Sequence, residues 1–141
     1  MRVVLDSNVV VAAFAARGIC NALIEYCIEN DEVVLCDEIA AEVERVLIKK
    51  VGVPKAVVRD MVAYLRDHTE VLKPQPVEST ACRDKSDLPV LGVALSGSCG
   101  HIITGDTDLL TTGEWGGVEI VSPREYWQKM RRGKPRAVHT L

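Results

Sequence analysis

Two aspartates stand directly after short apolar runs. Asp6 follows Arg2-Val3-Val4-Leu5, and Asp106 follows Ile102-Ile103-Thr104-Gly105. If these runs are parallel, central strands, both acids leave the sheet at the same end and point into one crevice. Asp108 sits two residues beyond Asp106, within reach of the same place. Glu42 belongs to a helical pattern in which, at about 100° per residue, it lies about 40° from Val46 and about 60° from Ile39, so it flanks the apolar stripe. An acid beside an apolar face needs a partner or a cation. Asp87 falls in the first turn of another helix, where the dipole favours negative charge. Carboxylates drawn together raise each other's pKa. A divalent ion relieves the repulsion, and all-oxygen sites suit Mg²⁺ or Mn²⁺. Such an ion activates water and offsets charge on a phosphodiester, so the chemistry implied is metal-assisted hydrolysis by in-line attack.

These acids need a scaffold, and the apolar periodicity supplies one. Residues 2–5, 33–36, 70–73, 101–104 and 118–121 read as short strands, rich in Val and Ile. Between them lie helical patterns: from Ser7 to about Ala16, from about Cys20 to Glu29, and from Asp37 (read as the N-cap) to Lys49, Lys50 and Gly52. Pro54 opens a further helix, with Val57, Val58, Met61, Val62 and Leu65 as its buried face. Ser86 is read as the cap of a helix starting near Asp87 and ending at Gly97 to Gly100. Gly113 to Gly117 reads as a loop. Ser122-Pro123-Arg124-Glu125 has capping-box spacing, which starts a last helix running to about Arg131. The alternation predicts an α/β fold, three layers α/β/α, around a central, mainly parallel five-stranded sheet. Residues 1–141 are expected to form a single domain with a short basic tail from about Arg131, including Arg132, Lys134 and Arg136.

Composition sets bounds on function. The chain has 141 residues, 48% of them hydrophobic, which suits one core without staples. Its net charge of −3 runs against the basic balance expected of a nucleic-acid binder. That objection weakens if several carboxylates are metal ligands. The cysteines, Cys20, Cys27, Cys36, Cys82 and Cys99, form no C-x-x-C pair and read as reduced thiols of a cytoplasmic protein. His68, His101 and His139 are too scattered for a catalytic set, and His101, opening a strand, reads as structural. There is no G-x-G-x-x-G and no P-loop. The first residues read as a strand rather than a leader, and no apolar run approaches the roughly 20 residues that span a bilayer.

The ordered segments Leu5-Asp6-Ser7-Asn8, Glu42-Val43-Glu44-Arg45-Val46-Leu47, Arg83-Asp84-Lys85-Ser86-Asp87-Leu88-Pro89 and Ile103-Thr104-Gly105-Asp106-Thr107-Asp108-Leu109-Leu110 span nearly the whole chain. In this set the chain resembles PIN-domain nucleases, particularly the single-domain VapC-like toxins of toxin–antitoxin pairs. The resemblance implies that Asp6, Glu42, Asp87 and Asp106 form the acidic quartet holding Mg²⁺ or Mn²⁺. Asp108 would be an auxiliary acid, and Asn8 and Thr104 polar supports. It implies cleavage of RNA, a protein antitoxin from a neighbouring gene, and a homodimer. Lys85-Ser86 departs from the family's more acidic, proline-rich pattern, which leaves Asp84 as a rival to Asp87.

Other functions fit the same pattern less well. A catalytically silent PIN-like module binding RNA or protein would not need acids at all four positions. A housekeeping RNA-processing nuclease would share the site but lack an antitoxin. A phosphotransfer receiver would need a lysine after the last strand, and none is convincing there.

Overall fold

The computed structural model describes residues 1–133. Its elements run β1 (Arg2–Leu5), α1 (Ser7–Ala15), α2 (Ile19–Asn30), β2 (Glu32–Leu35), α3 (Asp37–Val46), a π turn (Leu47–Val51) and α4 (Lys55–Asp67). After these come β3 (Glu70–Val71), a 3₁₀ turn (Lys85–Asp87), α5 (Leu88–Ser96), β4 (His101–Ile103), α6 (Thr107–Thr112), β5 (Glu114–Trp115), β6 (Val118–Val121) and α7 (Pro123–Gly133). The strands form one sheet in the order β3-β2-β1-β4-β6-β5. All pairings are parallel except β5 with β6. In the register of the centre, Val4 stands between Val34 and Ile102.

Helices flank this sheet, so its central strands are shielded on both faces. Val3, Val4, Leu5, Val34, Leu35, Ile102 and Ile103 are all buried. That is why these strands are continuous branched apolar runs rather than alternating ones. The fold class is the one expected, with two additions. The segment read as a loop contains β5, because Gly116 (φ 58°) and Gly117 (φ 83°) supply the two left-handed residues of a tight hairpin turn into β6. Six strands therefore replace five. The short helix α6 is the second addition; Asp106 caps it by accepting from Asp108 N at 2.8 Å.

Other boundaries shift for local reasons. Cys36, not Asp37, is the N-cap of α3, and Asp37 takes the first helical position, where Arg66 reaches it at 2.9 Å. The 3₁₀ turn before α5 is capped by Asp84 rather than by Ser86: Asp84 Oδ1 accepts from Ser86 N at 2.9 Å and Ser86 Oγ at 2.8 Å. Strand β3 keeps two residues instead of four. On α4, Val58 and Leu65 are buried, but Val57 is 43% exposed and does not belong to the inner face. The capping box at the start of α7 forms as read, with Glu125 N donating to Ser122 Oγ and Ser122 N to Glu125 Oε1. Arg131 and Arg132 lie in the last turn of α7, while Lys134, Arg136 and His139 lie outside the described residues.

Two further contacts fix the frame. Gly92, inside α5, lies so close to the preceding extended segment that a Cβ there would meet Gln75 O at 2.3 Å. Gln75 N donates to Gly92 O at 3.1 Å. On the other side, the fully buried Tyr126 donates to Asp31 Oδ2 at 2.7 Å, and His101 packs edge-on to its ring at 5.3 Å. All five cysteines are free thiols, with Cys27, Cys36 and Cys99 buried. Among the described residues no single helix is long and apolar enough to cross a membrane; α1 and α2 pass such a test only as a pair bent by 110°. Both are core helices here, with Val9, Val10, Leu23 and Cys27 fully shielded.

Candidate active site

The chain leaves β1 and β4, adjacent and parallel, in opposite directions across the sheet. At such a reversal the connections diverge and leave a crevice beyond the carboxyl ends of the strands. Asp6 directly follows β1, and Asp106 follows β4 by three residues. A cavity of about 600 Å³ opens there. Asp6 and Asp106 line it, with Glu38 and Glu42 from α3, Lys50 from the π turn, and Asp84, Ser86 and Asp87 from the turn before α5. Val11, Ile39, Val46 and Val90 form its apolar wall.

Asp6 is held from several directions. Its Oδ1 accepts from Ser7 N at 2.8 Å, and its Oδ2 accepts from Thr104 Oγ1 at 2.8 Å and Asn8 Nδ2 at 3.1 Å. Burial pushes its pKa up; the bonds from Thr104, Ser7 and Asn8 pull it down, and nearby Asp106 adds to the rise, leaving it raised. Thr104 Oγ1 also accepts from Asp106 N at 3.0 Å, and Asn8 Oδ1 from Gly105 N at 2.8 Å. The two acid-bearing loops are thus tied through Thr104 and Asn8.

Asp87 differs. It is 6% exposed, and its Oδ2 is buried with no hydrogen-bond partner. Burial, then the charges of Asp106, Asp6, Asp84 and Asp108, push its carboxyl up to about 7. Asp84 lines the same cavity, but its Oδ1 is occupied by Ser86 and its pKa is lowered by those bonds. Of these two rivals, only Asp87 presents a buried oxygen without a partner.

Glu42 lines the cavity, yet its carboxylate is gripped by Arg45, with Oε1 at 2.5 Å from Nη2 and Oε2 at 3.2 Å from Nε. That pair lowers its pKa. Asp108 does not line the cavity; it faces Arg83 at 3.9 Å and acts on Asp87 only through its charge. Glu38, which the sequence does not single out, and Lys50, read as a helix-end cation, both reach the cavity. No helical projection signals Lys50, because the π turn Leu47–Val51 sets its direction. His101 stands apart, buried between Lys129 and Glu119 at 2.9 and 3.0 Å.

Among the described residues no ready-made set of three His, Cys, Asp or Glu side chains stands poised to hold a metal ion. The donor chemistry nonetheless fits one. Hard carboxylate oxygens suit Mg²⁺ or Mn²⁺, and Mg²⁺ takes only one or two carboxylates directly, with water filling the rest. The unpartnered Asp87 oxygen, surrounded by like charges, is the place such a cation would relieve.

An α/β/α sandwich with an acid-lined crevice at its point of reversal places the chain among the switch-point α/β folds. Within that class the chain belongs to the PIN domain family, whose profile matches residues 2–108. Comparison with curated proteins gives no match. Among solved structures, VapBC2 from Rickettsia felis, bound to a DNA fragment from its promoter, superimposes with a TM-score of 0.61 at 12% identity, over 86% of this chain and 98% of that one. VapC20 from Mycobacterium tuberculosis, a toxin cleaving the sarcin–ricin loop, does so with a TM-score of 0.58 at 11% identity, over 83% and 98%. These likenesses establish the shared fold.

Proposed function

We propose that this protein is a metal-dependent endoribonuclease that hydrolyses RNA phosphodiester bonds, acting as the toxin of a toxin–antitoxin pair. The observation that carries the reading is the buried, unpartnered Oδ2 of Asp87 in a cavity it shares with Asp6, Asp106 and Glu42. Left alone, that arrangement is unfavourable; a cation makes it favourable. The family membership and the VapC-type neighbours support the same reading.

In this reading Asp6, Asp87, Asp106 and Glu42 hold Mg²⁺ or Mn²⁺, with Asp108 as an outer charge. The ion, when bound, lowers the pKa of water and offsets charge on the scissile phosphate. Thr104 and Asn8 favour the ionised form of Asp6 against the effect of burial and aim it by donating to it. Glu42 joins by leaving Arg45; an exposed i,i+3 pair of this kind contributes little, so it is no obstacle. The reading also takes residues 1–141 as one PIN-like domain in the cytoplasm, working as a homodimer, with an antitoxin that covers the acidic crevice.

The test is cleavage of RNA by the purified protein. Activity should require Mg²⁺ or Mn²⁺, vanish with EDTA, and be lost in Asp6→Asn while the fold is retained. Full cleavage by that variant, or cleavage indifferent to chelator, would refute the assignment. The grip of Arg45 on Glu42 favours one other reading, a module that binds RNA without cutting it. RNA bound without turnover at millimolar Mg²⁺ identifies that case.

A further inference from the structure

We infer that Lys50 is a substrate-binding residue, contacting a backbone phosphate next to the one placed at the acids. The inference rests on the nuclease reading and adds to it how the site holds RNA.

Among the described residues, Lys50 is the only cationic side chain lining the cavity. Its ammonium makes no ion pair within 4.0 Å among the described residues, although Glu42 lies close enough to feel its charge. Two cations on neighbouring segments are paired, Arg45 with Glu42 and Arg83 with Asp108, while Lys85 and Lys49 are not among the described residues lining the cavity. Among the described residues, Lys50 is therefore a cation without an ion-pair partner on the wall of a cavity whose other charged lining groups are all acids.

Its place there is set by the backbone. Glu42, Val46 and Lys50 follow one another at intervals of four residues. In an uninterrupted α-helix Lys50 would stand about 80° from Glu42 around the axis. From Leu47 to Val51, however, the helix widens to π geometry, with Gly52 N donating to Leu47 O. A π turn takes more residues per revolution, so it takes back part of that rotation and returns Lys50 to the side of Glu42. Gly52, at φ 83°, then closes the turn in the left-handed conformation glycine allows. π turns of this kind recur at functional sites.

The geometry suits a polyanion. A protein of net charge −3 whose crevice is lined by carboxylates repels RNA unless cations line the approach. Metal ions serve the scissile phosphate, while a neighbouring phosphate needs a cation of the protein's own. Lys50 lies on the Val46 side of the cavity, so the apolar wall of Val11, Ile39 and Val46 adjoins it and offers a surface for a sugar or base. A lysine contacting one phosphate carries no base preference.

The experiment measures binding of short single-stranded RNAs of unrelated sequence to the full chain in an Asp6→Asn background, with Mg²⁺, across a salt series. Adding Lys50→Ala should weaken binding of every RNA alike and reduce the slope of log affinity against log salt by about 0.7. Lys50→Arg should restore both. Lys49→Ala removes the same charge one residue away, at a position outside the cavity lining, and should change neither. In the cleavage-competent chain, Lys50→Ala should raise KM and leave kcat unchanged. If Lys50→Ala and Lys49→Ala behave alike, the contact does not exist and only net charge matters. If the parent shows no salt-sensitive RNA binding, the nuclease reading itself fails, and this inference falls with it.

Discussion

Thr104 Oγ1 donates to Asp6 Oδ2 at 2.8 Å, joining two residues 98 positions apart in the chain. The same oxygen accepts from Asp106 N at 3.0 Å. One hydroxyl, together with the Asn8 amide, therefore sets the distance between the loops that follow β1 and β4.

Thr104→Val keeps the shape of this side chain and removes these bonds together with the one Thr104 Oγ1 accepts from Asn8 Nδ2 at 3.4 Å. Thr104 is fully buried, so losing them should cost about 1–3 kcal/mol of stability. RNA cleavage should fall further than stability alone explains, because Asp6 loses a fixed orientation. Thr104→Ser should recover most of the activity. Equal activity of Thr104→Val and the parent at saturating Mg²⁺ would show that the hydroxyl is merely structural.

Asp87→Asn should stabilise the metal-free protein while abolishing cleavage. Folding pushes the Asp87 carboxyl from an ordinary 3.8 up to about 7, so the folded state holds its proton to higher pH. Stability from this group is present at acid pH and is lost as pH rises through that interval. At pH 8 the metal-free protein carries the whole penalty, which asparagine lacks, and the variant's Tm should be several degrees higher. Mg²⁺ should raise the Tm of the parent and leave the variant nearly unmoved. A lower Tm for the variant at pH 8 without metal contradicts the burial argument.

His101 predicts an opposite slope. Burial, then the charge of Lys129, lowers its pKa, against the pull of Glu119 and Asp31. The unfolded chain thus takes up a proton near pH 6.5 that the folded one refuses. Stability from this group is full above that value and declines as pH falls below it. Urea midpoints between pH 8 and 5.5 should show this decline in the parent and less of it in His101→Gln. Parallel curves would mean that His101 charges freely in the fold.

Gly92→Ala sets two effects against each other. Alanine favours a helix interior by about 1 kcal/mol over glycine. Its Cβ, however, would sit 2.3 Å from Gln75 O, a backbone atom that cannot step aside alone. Overpacking of this kind costs about 1–3 kcal/mol, and a backbone clash belongs at the upper end. The expected result is a lower Tm by several degrees. A Tm at or above the parent's would mean that the 74–76 segment lifts away at little cost.

Much of this was legible from residue order, and the misses have identifiable causes. Val3, Val4, Ile102 and Ile103 announced buried parallel strands because shielding on both faces leaves no reason for polar alternation. Ser122 and Glu125 announced the start of α7 because a capping box is a local exchange of two bonds. By contrast, α6 has six residues and one buried side chain, Leu109, too short to show helical periodicity. β5 is two residues long, and only the Gly116-Gly117 pair signalled its turn. At the site, the positions of Asp6 and Asp106 followed from strand ends alone. Two facts did not: that Asp84 is committed to its own turn, and that Glu42 rests on Arg45. Both depend on side-chain partners that several spacings would permit. Lys50 was hidden because its direction comes from a π turn, a departure from the 3.6-residue period that any helical projection assumes.

Both margins of the sheet, β3 and β5, are only two residues long. Each offers little ladder on which a foreign strand could lengthen the sheet. A peptide extending the sheet at either margin would gain few main-chain bonds, whatever its sequence. Helix surfaces and side chains offer another chain more to bind than these margins do, so the fold favours contacts read from residue identity over contacts read from backbone.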